Sequence, residues 1–346
     1  LQKMDTQKVP MKYNHLGKSG IKVSTIGLGF MDIQDQNLIT QLVKTAWENG
    51  VNFFDNAEFY GQGKVETFFG NALKELKIPR EDIVISTKIF WGGQGVNRVG
   101  LSRKHIIEGA TNSLKRLQLD YVDIIMAHRF DSETPLEEIC RAFDWLIRHG
   151  KALYWGTSEW PAKKLWEAIG ICEKLGLVKP IADQCEYSML NREKMEVEYI
   201  DLFDEVGFGT TVWSPLCGGI LTGKYNKEVP QDSRYATAWY KSAYDKWLGP
   251  QNIENTRVML NGLEAIAKEL GCSMAQLALA WVIKNKDVST ALIGSSKVSQ
   301  LEENLKALQF VDKITPDIAE KIEEVLKNRP DPGMNTRTFA KNPYRR

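Results

Sequence analysis

Four side chains of different chemistry stand at or just beyond the ends of short apolar runs. Asp55 ends the run 51–55, Lys88 ends 83–88 and His128 ends 121–128, while Tyr60 follows Asp55 by five residues, enough to curl back over the end of that run. A carboxylate, an ammonium, a phenol and an imidazole brought to one rim form a proton-donor network. Asp55 would hold Lys88 cationic, and that charge beside the Tyr60 oxygen would stabilise the phenolate and lower its pKa from about 10. Other runs also end in polar groups: Gln184 and Glu186 at 181–186, Trp213 and Ser214 at 209–214. Taken singly, Asp55 also fits a helix N-cap, Lys88 a strand-end surface charge, Tyr60 a half-buried aromatic and His128 a satisfied core histidine. Their equivalent positions favour a joint role.

Eight strand-length apolar runs are needed to place these groups: 26–29, 51–55, 83–88, 121–128, 152–157, 181–186, 209–214 and 289–294. Between them the spacing turns helical, as in Leu38, Leu42, Val43, Ala46, Trp47 and again in Ile106, Ile107, Ala110, Leu114, Leu117. Gly50, Gly150, Gly176 and Gly207 stand where a helix would close before the next strand. Buried, non-alternating strands alternating with helices predict an α/β fold, a (β/α)8 TIM barrel whose chemistry lies at the C-terminal strand ends. The competitor is an open doubly wound sheet, because Gly27-Leu28-Gly29 followed by Asp55 imitates a dinucleotide-binding fingerprint. The third glycine is replaced by Asp32, and the eightfold alternation outweighs the imitation. Beyond the minimal barrel, residues 11–24 read as an N-terminal β-hairpin turning at Lys18-Ser19-Gly20 and plugging the floor. Residues 215–255 read as a long loop after the seventh strand, and 255–270 and 316–327 as two extra helices. One barrel domain is expected over 11–327, with flexible termini at 1–10 and 328–346.

Composition narrows the function. The 346 residues carry 45 Lys+Arg against 44 Asp+Glu, a net charge of +1, and 43% are hydrophobic. That balance disfavours nucleic acid. No run of about 18 apolar residues exists, so no membrane insertion is expected. The first ten residues lack a signal-type apolar core, and Met4 or Met11 reads as a native start. Five widely spaced cysteines without a CxxC pair suggest a reduced, cytoplasmic protein, and four scattered histidines give no metal-ligand spacing.

Longer motifs resemble a known family. Asp55-Asn56-Ala57-Glu58-Phe59-Tyr60-Gly61, Ile85-Ser86-Thr87-Lys88, His128 and Trp213-Ser214-Pro215-Leu216 are similar to the aldo-keto reductases. Thr87 to Gly93, Gly100 to Gly109, Tyr154-Trp155-Gly156-Thr157-Ser158 and Leu221-Thr222-Gly223-Lys224-Tyr225 resemble the branch containing voltage-gated potassium channel β subunits and their plant, fungal and bacterial relatives. The resemblance spans residues 11–326.

It implies a carbonyl reductase using NADP(H), less often NAD(H), with Asp55, Tyr60, Lys88 and His128 as catalytic tetrad and Tyr60 as general acid. It places Ser158 and Gln184 at the nicotinamide carboxamide, Trp213 on the ring, and Ser214, Leu216, Gly218 and Lys224 around the pyrophosphate. The loop carrying Arg234 would close over the cofactor, Ser296 and Gln300 would meet the adenosine phosphate, and Glu303 and Asn304 the adenine. Phe30, Met31, Trp91 and Phe130 would line an apolar mouth suited to an aldehyde or ketone. The short segment after Gly29 and the long basic tail after Asn328 depart from the relatives, so substrate choice does not carry over. The alternative is a channel-type regulatory subunit with the cofactor as redox sensor. His128 favours the enzyme, since animal channel subunits carry Asn there, as do the barely ten residues before the hairpin, too few for an inactivation segment. The family also implies a homo-oligomer, and a channel partner is the less favoured alternative.

Overall fold

A computed structural model describes residues 10–31, 33–226, 235 and 241–331 of the chain. It opens with an antiparallel hairpin, β1 (Tyr13–His15) and β2 (Lys22–Ser24). Eight strands follow: β3 (Ile26–Gly29), β4 (Phe53–Asp55), β5 (Val84–Ile89), β6 (Val122–Ala127), β7 (Ala152–Ser158), β8 (Ala182–Gln184), β9 (Gly209–Val212) and β10 (Thr290–Ile293). Each pairs in parallel with the next, and β10 pairs with β3 to close the barrel.

Neighbouring residues of one strand point to opposite faces, and both faces here are apolar. Phe54, Ile85 and Ile125 pack outward into the helix layer, whereas Phe53, Val84 and Ile124 point into the barrel. The inner cluster also holds Leu16 and Val23 of the hairpin, so the hairpin plugs the floor as its sequence suggested. Its turn is pinned there by Lys18 N–H donating to Gly207 O at 2.8 Å.

Helices α1 (Gln36–Glu48), α2 (Lys64–Leu76), α3 (Arg103–Leu117), α4 (Leu136–Arg148) and α5 (Ala162–Leu175) follow β3 to β7. Two π-helical turns, Lys194–Glu198 and Leu202–Val206, follow β8. Their boundaries are chemical: Asp35, Ser102 and Thr315 each accept a backbone N–H as N-caps, and Gly50, Gly150, Gly176 and Gly207 all have positive φ. The connection after β9 is less loop-like than its sequence suggests. It holds a 3₁₀ turn (Cys217–Thr222) and a third additional helix, α6 (Lys241–Trp247), before the expected α7 (Ile253–Leu270). It is short, seven residues, and only half-buries its apolar side chains Ala243, Tyr244 and Trp247 against the core, too brief a stripe for periodicity to detect. Helix α8 (Met274–Lys284) begins with a Ser273–Gln276 capping box, and α9 (Val298–Leu305) and α10 (Pro316–Leu326) complete the fold. Among the described residues no single helix is long and apolar enough to cross a membrane.

Asn328 and Arg329, assigned by sequence to a flexible tail, are tied down. Asn328 Nδ2 donates to Met189 O at 2.8 Å and Arg329 pairs with Glu323. The rest of the termini, 1–9 and 332–346, and the loop position Arg234 lie outside the described residues.

The imitation fingerprint has a packing explanation. A Cβ on Gly27 would stand 2.7 Å from Phe53 Cδ1 and 2.9 Å from Leu292 Cδ2, so the missing side chain makes room for the inner core. Gly27→Val is therefore expected to cost about 1–3 kcal/mol by overpacking. Denaturant unfolding checks it, and an unchanged midpoint would show that the inner layer is loosely packed.

Candidate active site

The rim of the barrel at the strand C-termini gathers the four residues named first. Lys88 is 0% exposed, Asp55 2%, His128 7% and Tyr60 8%. Lys88 Nζ donates to Asp55 Oδ2 at 2.5 Å, to the Asn56 carbonyl at 2.9 Å and to Tyr60 Oη at 2.9 Å. All three ammonium hydrogens are thereby committed, which fixes the head group as a cation beside the phenol. Asp55 Oδ1 accepts from Ser86 Oγ at 2.6 Å and from Gln184 Nε2 at 3.0 Å, joining β4, β5 and β8 through one carboxylate. Tyr60 sits in a 3₁₀ turn (Tyr60–Gly63) whose Gly61, Gln62 and Gly63 have positive φ, and that turn brings the phenol back over β4. Its ring lies edge-on to His128 at 6.2 Å.

Burial and charge set the protonation states. Burial alone would discharge Lys88, but Asp55 and Tyr60 together outweigh it and hold its pKa above the ordinary lysine value. The lowered Tyr60 pKa expected from sequence is not found. Burial of the phenol raises it and outweighs the pull of Lys88, so Tyr60 keeps its proton at neutral pH. His128 is driven well below the ordinary histidine value by burial and then by the cations Lys88 and Arg129. It is a neutral imidazole at pH 7, and its buried Nδ1 has no partner among the described residues.

On one side of this cluster lies a cradle of oxygen and nitrogen groups. Ser158 Oγ, at the end of β7, donates to the Gln184 carbonyl at 2.9 Å. Trp213 Nε1 donates to Glu159 Oε1 at 2.8 Å, and the same oxygen accepts from Glu186 N at 2.5 Å, while Lys194 Nζ holds the other oxygen at 2.9 Å. Glu159, with φ of 60°, is thus the bracket that sets the Trp213 ring. Beyond Trp213 the chain turns sharply: Ser214, Cys217, Gly218 and Gly219 all have positive φ, and Gly218 N donates to Ser214 Oγ at 3.1 Å. Leu216 is half-buried in this turn and packs on the core, and a Cβ on Gly219 would stand 3.0 Å from Lys224 Nζ. A glycine turn with an ammonium folded against it suits an anion.

The second anion-suited place follows β10. Helix α9 has no side-chain cap at its N-terminus; Gln300 and Leu301 N–H bond back to the Lys297 carbonyl, which leaves the N–H groups of Val298 and Ser299 at the helix start for an anion. Ser296 N and Oγ both donate to Gln300 Oε1 at 3.0 Å. The neighbouring Ser295 Oγ is buried without a partner among the described residues, a hydroxyl the sequence reading had passed over. Asn304 is buried on the same helix and Glu303 is exposed beside it. These groups, an uncapped helix start, a lone hydroxyl and a lysine in a glycine turn, fit the phosphates of a dinucleotide.

The apolar mouth differs in detail from the expected set. Trp91 packs against His128 at 4.9 Å and Phe59 at 5.5 Å, and Met31 and Phe59 are exposed. Phe30 is not a mouth residue: just after β3, it is fully buried against Phe54 of β4 and Phe69 of α2 in the outer core. Phe130 turns away to Trp160 and Lys164. Phe59, Glu58 and Arg129 were missed, although Glu58 and Phe59 stand inside the motif between Asp55 and Tyr60. Glu58 is buried and accepts from Phe90 N at 2.7 Å, and its Oε1 lies 3.0 Å from His105 Nε2, so it clamps the Tyr60 turn to the Phe90-Trp91 segment just beyond β5 and to α3.

Comparison with known proteins agrees with this geometry. Residues 25–327 match the model of the Aldo/keto reductase family. A protein of Oryza sativa subsp. japonica named a probable voltage-gated potassium channel subunit beta is 46% identical over 328 residues, covering 92% of this chain and 98% of that protein. A protein of the same name from Arabidopsis thaliana is 47% identical over 328 residues, with the same coverage. The chain belongs to the aldo/keto reductase family, oxidoreductases that generally use nicotinamide cofactors on small carbonyl substrates.

Proposed function

We propose that residues 11–327 act as one NADPH-dependent carbonyl reductase in which Tyr60 is the general acid. The observation that carries this is the saturated Lys88 ammonium, bound to Asp55, the Asn56 carbonyl and the Tyr60 oxygen. When bound, the nicotinamide supplies the hydride. Tyr60 donates its proton to the substrate oxygen, and the phenolate left behind is stabilised by Lys88 at 2.9 Å. Neutral His128 orients the carbonyl without competing as a proton source. Ser158 and Gln184 would hold the carboxamide and Trp213 the ring. The Ser214–Gly219 turn with Leu216, Gly218 and Lys224 would hold the pyrophosphate. Ser296 and Gln300 would take the adenosine phosphate, and Glu303 and Asn304 the adenine. Trp91 and Met31, with Phe59, would line the mouth. Free thiols at all five cysteines support a cytoplasmic setting.

NADPH oxidation with aromatic aldehydes, methylglyoxal and small ketones tests this reading, with turnover of at least one class expected and a lower KM for NADPH than for NADH. The names of the two plant relatives favour a second reading, a channel-type subunit, in which a bound cofactor would serve as redox sensor. Tight NADPH binding without turnover above that of a Tyr60→Phe variant would select it.

Because Glu159 sets Trp213, Glu159→Ala is expected to weaken NADPH binding about tenfold, the value of losing one hydrogen bond to a charged group. Titration of tryptophan fluorescence reads the change, and unchanged affinity would remove Trp213 from the cofactor site.

A further inference from the structure

Next to His128 stands a cation that the proposed chemistry does not use. Arg129 is half-buried at the end of β6. Its Nη1 is fully engaged, donating to the His128 carbonyl at 2.6 Å and to Ser158 Oγ at 3.1 Å. Its Nη2 and Nε make no hydrogen bond among the described residues, and none of the described carboxylates pairs with it. The guanidinium lies over the face of Trp91, 5.7 Å from the ring centre, and Trp91 in turn packs on His128. Its field reaches both reacting groups, since it helps lower the pKa of His128 and works in the same direction on Tyr60.

A half-buried guanidinium ordinarily finds a carboxylate or phosphate partner, because its desolvation is otherwise uncompensated. Two anchored N–H groups hold this one rigidly, leaving one edge free beside an aromatic wall. The groups suited to cofactor phosphates belong to β9 and β10, with two strands, β7 and β8, between them and β6. The guanidinium thus stands over Trp91, a wall of the mouth, and apart from those phosphate-suited groups.

We propose that Arg129 is a specificity-determining residue that binds an anionic group of the substrate, so that the preferred substrates are aldehydes or ketones carrying a carboxylate. This deepens the carbonyl-reductase reading and rests on it. The carboxylate would accept hydrogen bonds from the free guanidinium edge while its carbon skeleton lies against Trp91.

The test pairs kinetics with equilibrium binding in the full-length protein. Wild type should reduce 3- or 4-carboxybenzaldehyde with a kcat/KM about tenfold or more above that of benzaldehyde, mainly through KM. Arg129→Met should remove most of that preference, Arg129→Lys should retain part of it, and added salt should lower the rate for the carboxylated substrate only. Calorimetry on the NADP⁺-loaded protein should show benzoate bound more tightly than benzamide in wild type and equally in Arg129→Met. Equal kcat/KM for charged and neutral aldehydes in wild type would overturn the proposal, as would an Arg129→Met loss that is the same for both. If no aldehyde is turned over, the reductase reading fails, and benzoate binding that does not depend on Arg129 then overturns this proposal separately.

Discussion

Tyr60→Phe is expected to lower kcat for carbonyl reduction by about 10²–10⁴-fold while leaving NADPH affinity within a few-fold of wild type. The substitution removes one oxygen, the acceptor of the Lys88 hydrogen bond at 2.9 Å, and keeps the ring that packs edge-on to His128. Burial raises the Tyr60 pKa, so wild type presents the protonated acid throughout the neutral range. Without it the alkoxide formed by reduction has no donor at that position, since His128 is neutral and its protonated form is disfavoured by burial and by two nearby cations. Steady-state kinetics with a reactive aldehyde, beside a fluorescence titration of NADPH, separate the two effects. A variant that keeps near-wild-type kcat would show that the proton comes from elsewhere.

Lys88→Met is expected to be doubly damaging. It removes the charge that stabilises the Tyr60 phenolate, and it leaves the buried Asp55 carboxyl stripped of its closest partner at 2.5 Å. Breaking one side of a buried ion pair costs about 3–5 kcal/mol, whereas replacing both partners with apolar groups of similar volume costs much less. Denaturant unfolding should therefore find Lys88→Met less stable than the Asp55→Leu/Lys88→Met double variant, with both inactive. The sign with pH follows from the raised lysine pKa: the pair's contribution is fully present below the ordinary lysine value of 10.5 and is lost only as pH rises through the higher folded value. Equal stability of the single and double variants would mean that Asp55 is well satisfied by Ser86 and Gln184 alone.

Much of the scaffold was legible because it is written in local chemistry. The eight parallel strands are continuous apolar runs, and several helix ends carry glycine or a capping side chain, so β3 to β10 coincide with the expected runs, with β5 and β7 each ending one residue later, at Ile89 and Ser158. The clustering of Asp55, Lys88 and His128 was legible for a related reason, since a charged or polar residue closing an apolar run is conspicuous, and that of Tyr60 through its five-residue spacing from Asp55. What was not legible depends on contacts distant in sequence. Glu159 is an ordinary surface-type residue until β7, β8 and β9 bring Glu186 N, Lys194 and Trp213 to its two oxygens. Phe30 and Phe59 have the same composition but opposite fates, one sealed against Phe54 and Phe69 and the other exposed at the mouth. The Tyr60 pKa was misjudged in sign because a nearby cation can be inferred from sequence, while the depth of burial that outweighs it cannot. Helix α6 escaped because its seven residues give less than two turns of pattern and only half-bury Ala243, Tyr244 and Trp247.

In the proposed reaction this rim moves a hydride from nicotinamide to a carbonyl carbon while Tyr60 supplies the proton. Single-turnover reduction of an aldehyde with NADPH deuterated at both C4 positions, followed by mass spectrometry of the alcohol, tests it directly. One deuterium on the carbinol carbon in wild type, and a rate at least about a hundredfold lower in Tyr60→Phe, is the predicted result. Alcohol without deuterium, or label transfer at the same rate in both proteins, would contradict it.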